Sequence, residues 1–127
     1  MKLEADYKRD IAKAARKAGG YARRIEDKFA VGILDMVLIF NDTGPVFVEV
    51  KRVKNGKFGP TPRQLQEMKD VEAAGGKTCC IGCDGNTFYI EFLPHQFVGR
   101  ELTYEVKNAL PITKEDLITK FRIANGG

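Results

Sequence analysis

The chain has 127 residues, of which 43% are hydrophobic and 30% charged, and its formal net charge is +4. A chain of this size buries one core and is too short for two ordinary domains, so we expect a single domain over residues 1–127. No apolar run approaches the roughly 20 residues that span a bilayer, and the first residues lack the apolar core of a secretory signal. We therefore expect no membrane partner and a cytoplasmic location, which three cysteines, an odd number, also favour.

The charge is unevenly distributed along the chain. Residues 1–63 contain 14 Lys and Arg against 8 Asp and Glu, whereas residues 64–127 contain 7 against 9. A basic surface around buried acids is typical of a protein that attracts a polyanion and handles it with a metal. A mixed, solvated surface explains the charges equally well, so charge alone leaves both interpretations open.

The first half of the chain predicts a helix and three strands. Apolar residues recur every three to four positions over residues 2–18, which indicates a helix with one basic face, and Gly19-Gly20 ends it. Residues 21–26 predict an edge strand, followed by a turn or short helical piece at Asp27-Lys28. Residues 33–40 and 46–51 are apolar on both faces, which is typical of two neighbouring central strands.

The second half predicts alternating helices and strands. Thr61 is a favourable N-cap and Pro62 suits the first helical position, and this helix ends at Gly75-Gly76. Because a helix joins them, the strands before and after it should be parallel. The remaining predicted elements are strands at residues 77–82 and 88–92, a helix at residues 102–110, and a last helix from a capping box of Thr113 and Asp116 to about residue 123.

Three ionisable side chains lie in the two central strands. Side chains two residues apart in a strand share a face, so Glu49 and Lys51 emerge together, and Asp35 can join them from the neighbouring strand. Buried carboxylates are costly unless a partner charge or a metal ion compensates them. The alternative is an exposed Glu-x-Lys pair on an edge strand, which the apolar pattern on both faces argues against.

Four motifs follow one another along the chain: Gly32-Ile33-Leu34-Asp35, Glu49-Val50-Lys51, Thr61-Pro62-Arg63-Gln64 and Gly75-Gly76. In this order they resemble the VRR-NUC family of the PD-(D/E)XK nuclease superfamily over about residues 1–82. Family members often have proline where this chain has Leu34, a change that affects backbone shape and no reactive group. The resemblance implies a restriction-endonuclease-like α/β fold, a mixed sheet flanked by helices on both faces.

The resemblance also implies a Mg²⁺-dependent endonuclease in which Mn²⁺ can substitute. Asp35 and Glu49 would hold the metal with the main-chain carbonyl of Val50, and Lys51 would orient or deprotonate the attacking water. This agrees with the preference of Mg²⁺ for oxygen ligands and few carboxylates, and no organic cofactor is expected. Two further site residues are implied from the helices, Gln64 as a catalytic residue and Glu4 as a metal ligand.

DNA is the implied partner. The candidate phosphate contacts are basic residues near the predicted site: Arg24, Arg52, Lys54, Lys57 and Arg63. For Arg24, an ordinary exposed arginine is the alternative. The resemblance favours branched or Holliday-junction-like DNA and a homodimer, encoded by a bacterium or a phage and acting in the host cytoplasm. Alternatives are a general nicking or sequence-specific endonuclease, or a non-catalytic DNA-binding module that keeps the nuclease fold.

Cys80 and Cys83 have CxxC spacing, but zinc needs more ligands and His95 is the only histidine, so buried, inert cysteines are favoured.

Within the single domain, the nuclease core is expected over about residues 1–93 and a C-terminal helical extension over about residues 99–124.

Overall fold

The computed structural model of the chain describes residues 2–25 and 34–126. The helices are α1 (Glu4–Lys17), α2 (Pro62–Ala73) and α3 (Leu117–Asn125). The strands are β1 (Tyr21–Arg24), β2 (Met36–Phe40), β3 (Gly44–Arg52), β4 (Lys57–Phe58), β5 (Lys77–Asp84), β6 (Thr87–Glu91), β7 (Tyr104–Glu105) and β8 (Ile112–Thr113). Within the described residues, six strands form one sheet in the order β1-β2-β3-β5-β6-β8, and β4 pairs with β7 separately.

The two apolar runs that predict central strands are neighbours in this sheet. β2 and β3 pair antiparallel, with Met36 opposite Val48. β3 and β5 pair in parallel, as expected for strands that a helix connects. The other pairs in the large sheet are antiparallel, so the predicted mixed sheet is confirmed.

Helices cover both faces of the sheet. Alternate residues of β3 point in opposite directions and therefore contact different helices. Val48 belongs to the main core together with Ile11 of α1 and Phe121 of α3. The next residue, Glu49, points to the other face, where Gln64 of α2 donates a hydrogen bond to it. The predicted α/β architecture with helices on both faces is therefore confirmed.

The C-terminal helix packs on the same core as the sheet. Leu117 and Phe121 are buried in that core, and the Phe121 ring lies 6.1 Å from the ring of Phe40 between centroids. The backbone N–H of Asp116 donates to Thr113 Oγ1 at 3.3 Å, but Thr113 lies in β8 and Asp116 is itself the N-cap of α3, so the predicted capping box does not start this helix. Residues far from the central strands in sequence thus contribute to the face opposite Glu49.

The helix predicted at residues 102–110 is wrong. β7 and a 3-10 turn at Val106–Asn108 occupy this segment. Tyr104 lies opposite Phe58 in the β4–β7 pair, the two ring centroids are 5.3 Å apart, and the Tyr104 hydroxyl donates to the carbonyl of Phe92. The apolar residues in this segment pack against a strand, and these tertiary contacts outweigh local helix propensity.

The three cysteines are free and buried. Burial raises the pKa of the Cys79, Cys80 and Cys83 thiols well above their ordinary value, which suppresses the reactive thiolate. Cys80 and Cys83 are three residues apart in one strand, so their side chains point to opposite faces and do not hold a common ion.

Some predictions fall wholly or partly outside the described residues. These are the end of the strand at residues 21–26, the turn or short helical piece at Asp27-Lys28, and the start of the strand at residues 33–40. Among the helices of the described ranges, none is long and apolar enough to cross a membrane.

Candidate active site

Asp35 lies immediately before β2, at the point where the pairing of β2 with β3 ends. Its Oδ2 accepts a hydrogen bond of 2.8 Å from the backbone N–H of Val50, and its Oδ1 lies 2.8 Å from the Lys8 ammonium of α1. The Asp35 carboxylate thus binds the β3 backbone at the position where another residue of β2 would pair if that strand continued. This contact fixes Asp35 beside the strand that carries Glu49 and Lys51.

Glu49 is fully buried in the middle of the sheet, with 0% of its surface exposed. Its Oε1 accepts a hydrogen bond of 2.9 Å from Gln64 Nε2 and lies 3.7 Å from Lys51 Nζ. Its Oε2 is buried and has no hydrogen-bond partner among the described residues. A buried carboxylate oxygen without a donor is costly, so the site favours either a proton or a cation on Glu49.

Burial, together with the neighbouring Asp35 carboxyl, raises the pKa of Glu49 to about 10, although Lys51 and Lys8 partly offset the effect. Without a cation, Glu49 therefore holds a proton at neutral pH. Two adjacent carboxyl groups, one of which has an unpartnered buried oxygen, are a donor set that fits a hard divalent cation. Such a cation would replace the proton as the charge that compensates Glu49.

Gln64 connects the start of α2 to the site. Thr61 is the N-cap, and its Oγ1 accepts from the Gln64 backbone N–H, while the Thr61 N–H donates to Gln64 Oε1 at 2.9 Å. This capping box uses the oxygen of the side-chain amide and leaves its nitrogen to donate to Glu49. The same side chain therefore fixes the helix start and orients Glu49.

We expect Gln64→Ala to lower the free energy of unfolding by about 1 kcal/mol through loss of the cap, and to slow the DNA cleavage that the resemblance implies by about 10-fold because Glu49 loses its donor. Chemical denaturation and single-turnover cleavage measure the two effects. Thr61→Ala is the matched variant, since it weakens the cap and leaves the side-chain amide of Gln64 in place. Equal losses of activity in both variants would contradict a direct contribution of Gln64 to the site.

The other predicted metal ligands are placed less directly. Both main-chain groups of a strand residue point to the same neighbouring strand, so the Val50 carbonyl faces the side on which its N–H meets Asp35. Glu4, the first residue of α1, lies beside the end of β3, where its Oε2 accepts a hydrogen bond of 3.4 Å from the Arg52 backbone N–H. In the described part of the chain, no three His, Cys, Asp or Glu side chains form a group that could hold a metal, so Glu4 does not join Asp35 and Glu49 directly.

Three of the candidate DNA contacts lie at the end of β3 and in the hairpin that follows it. Arg52 is the last residue of that strand, and Lys54 and Lys57 are exposed and flank a tight turn in which Asn55 and Gly56 have positive φ. The turn closes through paired backbone hydrogen bonds between Lys54 and Lys57. The two lysines are thus held on a defined hairpin a few residues beyond Lys51.

Two other predicted contacts lie on neighbouring elements. Arg63 is exposed in the first turn of α2, next to Gln64. Arg24 is the last residue of β1, half-buried and opposite Met36. Both positions are close in sequence or register to the site.

Lys8 is the site residue that the sequence motifs did not single out. It lies in the basic face of α1, and its contact with Asp35 joins that helix to the site. Its position four residues after Glu4, on the same side of a helix, is the signal that could have indicated it.

Comparison with solved structures gives matches that include a VRR_NUC domain and a Holliday junction resolvase. Neither a family model nor a curated protein matches the sequence. A solved structure described as a VRR_NUC domain matches with a TM-score of 0.53 and 25% sequence identity, covering 62% of this chain and 83% of that one. Hjc from Archaeoglobus fulgidus, a Holliday junction resolvase from an archaeal hyperthermophile, matches with a TM-score of 0.55, covering 86% of this chain and 85% of that one.

The two matches carry different weight. Hjc is 17% identical to this chain, so that likeness concerns the fold alone. The VRR_NUC domain shares more sequence and the same architecture. The likeness that the four motifs predict is thus confirmed at the level of the fold: the chain has a restriction-endonuclease-like α/β fold, similar to that of the VRR_NUC domain and of Hjc.

Proposed function

We propose that the protein is a divalent-metal-dependent endonuclease that hydrolyses phosphodiester bonds in DNA. The observation that supports this most is Glu49, a buried acid whose Oε2 has no hydrogen-bond partner among the described residues. Asp35 and Lys51 lie beside it. A protein that only binds DNA gains nothing from a pair of acids close to bound phosphates, whereas phosphodiester hydrolysis needs them to hold a cation.

Asp35, Glu49 and the main-chain carbonyl of Val50 would hold the cation. When bound, Mg²⁺ or Mn²⁺ supplies positive charge to the phosphate and makes a nearby water more acidic. Gln64 donates to one oxygen of Glu49 and leaves the other oxygen for the cation. Mg²⁺ typically uses only one or two carboxylates, which matches the two acids present.

Lys51 would act on the reacting groups themselves. Its Nζ lies 3.7 Å from Glu49 Oε1, and 17% of its side chain is exposed. As an ammonium it donates to the attacked phosphate and offsets developing negative charge, and in its neutral form it accepts a proton from the attacking water. Both actions require Lys51 at this position on the strand, two residues from Glu49.

Branched DNA is the substrate class that we propose. Exposed lysines on the 54–57 hairpin and exposed Arg63 surround the site and suit phosphate contacts, which position DNA without reading its sequence. Hjc, which shares the fold of this chain, is a Holliday junction resolvase, and this is the ground for proposing a branched substrate. We further propose a homodimer, so that two sites meet two strands, in the reducing cytoplasm of a bacterium or of a phage-infected cell, which the free cysteines favour.

A panel of DNA structures of matched sequence tests the proposal. Holliday junctions, flaps, splayed arms and linear duplex are incubated with Mg²⁺, Mn²⁺ or EDTA. We expect metal-dependent cleavage of branched DNA, and about a 10³-fold loss in Asp35→Ala with DNA binding retained. Asp70→Ala, an exposed aspartate of α2, is the matched control and should cut normally.

Three other results of this panel separate the alternatives. Equal cleavage of duplex and branched DNA would indicate a general nicking endonuclease, and cleavage confined to one sequence would indicate a sequence-specific one. Binding of DNA without any cleavage in Mg²⁺ or Mn²⁺ would identify a non-catalytic binding module and overturn the proposal.

A further inference from the structure

Lys8 forms an ion pair that links α1 to the candidate site. Its ammonium reaches from α1 to within 2.8 Å of Asp35 Oδ1, and the side chains are only 20% and 14% exposed. Lys13 and Lys17 on the same helix are exposed to solvent. Lysine loses favourable hydration when it is taken out of water, so a half-buried lysine implies a specific partner.

Lys8 occupies the free side of Asp35. The other oxygen, Oδ2, already accepts from the backbone N–H of Val50, so Oδ1 is the oxygen most available to a cation. In this arrangement two ammonium groups, Lys8 and Lys51, face the two carboxyl groups of Asp35 and Glu49. A divalent cation between the carboxylates would therefore meet a positive charge already placed on Asp35.

We propose that Lys8 is an internal counter-ion that competes with the divalent cation for Asp35 Oδ1 and thereby sets the cation affinity of the site. This inference rests on the proposed function, because it concerns the same cation. Lys8 is a positioning residue, since it acts through Asp35. While no cation is bound, its ammonium holds Asp35 in place and joins it to α1.

The competition gives the site a preference among cations. A divalent ion brings two charges to the pair of acids and can displace one ammonium, whereas a monovalent ion only matches the charge that Lys8 already supplies. The ammonium is attached to the protein, so it is present at every salt concentration. We therefore expect the site to reject Na⁺ and K⁺ and to bind divalent cations with reduced affinity.

Isothermal titration of the full chain with Mn²⁺ alone, without DNA, tests this inference. Lys8→Met keeps the length of the side chain and removes its charge, so we expect Mn²⁺ to bind about 10-fold more tightly than in the wild type. Lys8→Arg keeps the charge and should retain the wild-type affinity. Lys13→Met removes the same charge five residues further along α1, on a different side of the helix, and should change the affinity little.

The outcomes separate this inference from the proposed function. Unchanged or weaker Mn²⁺ binding in Lys8→Met, in protein shown to be folded by thermal unfolding, would overturn the inference and leave the proposed function standing. Equal tightening in Lys13→Met would also overturn it, because the effect would then be one of overall charge. A wild type that binds no Mn²⁺ would overturn both.

Discussion

Glu49→Gln is expected to abolish DNA cleavage and, in metal-free protein at pH 8, to raise the free energy of unfolding by about 1–3 kcal/mol. Activity falls because a neutral amide is a poor ligand for a divalent cation. Stability rises because the amide needs no proton. Its oxygen can accept from Gln64 as Glu49 Oε1 does, and its nitrogen can donate to the neighbouring Asp35 carboxylate.

The pH dependence of the wild type has a definite sign. The pKa of Glu49 is about 10 in the folded protein, against an ordinary value of 4.5. Because the folded state binds the proton more strongly, the stability that protonated Glu49 contributes is fully present below about pH 4.5 and is lost as the pH rises toward 10. Urea unfolding in EDTA at pH 5 and pH 8 should show this loss in the wild type and a smaller one in Glu49→Gln.

Two comparisons make this prediction specific. Glu115→Gln changes an exposed glutamate to glutamine and should leave stability within about 0.5 kcal/mol of the wild type. Mn²⁺ should raise the melting temperature of the wild type and not that of Glu49→Gln, because only the wild type offers the second carboxylate. A Glu49→Gln variant less stable than wild type in EDTA at pH 8 would show that Glu49 is not strained by its burial.

Lys51→Ala is expected to slow cleavage by about 10²–10⁴-fold while the site still binds its cation. The lysine would contribute to the chemical step, whereas the carboxylates would hold the metal. Removal of a positive charge 3.7 Å from Glu49 Oε1 should also tighten Mn²⁺ binding. Single-turnover cleavage and calorimetric titration of Mn²⁺ measure the two effects separately.

Lys54→Ala is the matched control for Lys51. It removes the same charge three residues further along the chain, at an exposed position of the hairpin. We expect weaker DNA binding with a single-turnover rate close to wild type, because a phosphate contact positions DNA and does not take part in the reaction. A Lys51→Ala variant that cuts at close to the wild-type rate would remove the lysine from the mechanism.

The central strands β2 and β3 were predictable because a strand that is buried on both faces is apolar at nearly every position. Residues 36–40 and 46–51 are apolar almost throughout, and charged Glu49 stands out against that background. Thr61 and Pro62 mark the start of α2 by local backbone chemistry, which places Gln64 in the first turn without reference to the rest of the fold.

The sequence predicted neither the strand at Tyr104 nor the contact of Lys8 with Asp35. Both depend on contacts between segments that are distant in sequence. Tyr104 becomes part of a strand because Phe58 lies opposite it, and nothing near residue 104 records that neighbour. Lys8 reaches Asp35 across 27 positions of sequence, so its partner emerges only once α1 is packed against the sheet. A helical pattern indicates which residues share a face and not which charge they meet.

Hydrogen exchange at the start of α2 can report whether Gln64 holds Glu49 in position. The Thr61 N–H is held by Gln64 Oε1, and the Gln64 N–H by Thr61 Oγ1. When this turn frays, the amide group that holds Glu49 leaves with it. Hydrogen–deuterium exchange at the Thr61 and Gln64 amides therefore measures the fraction of molecules in which Gln64 still holds Glu49. The measurement needs neither DNA nor metal.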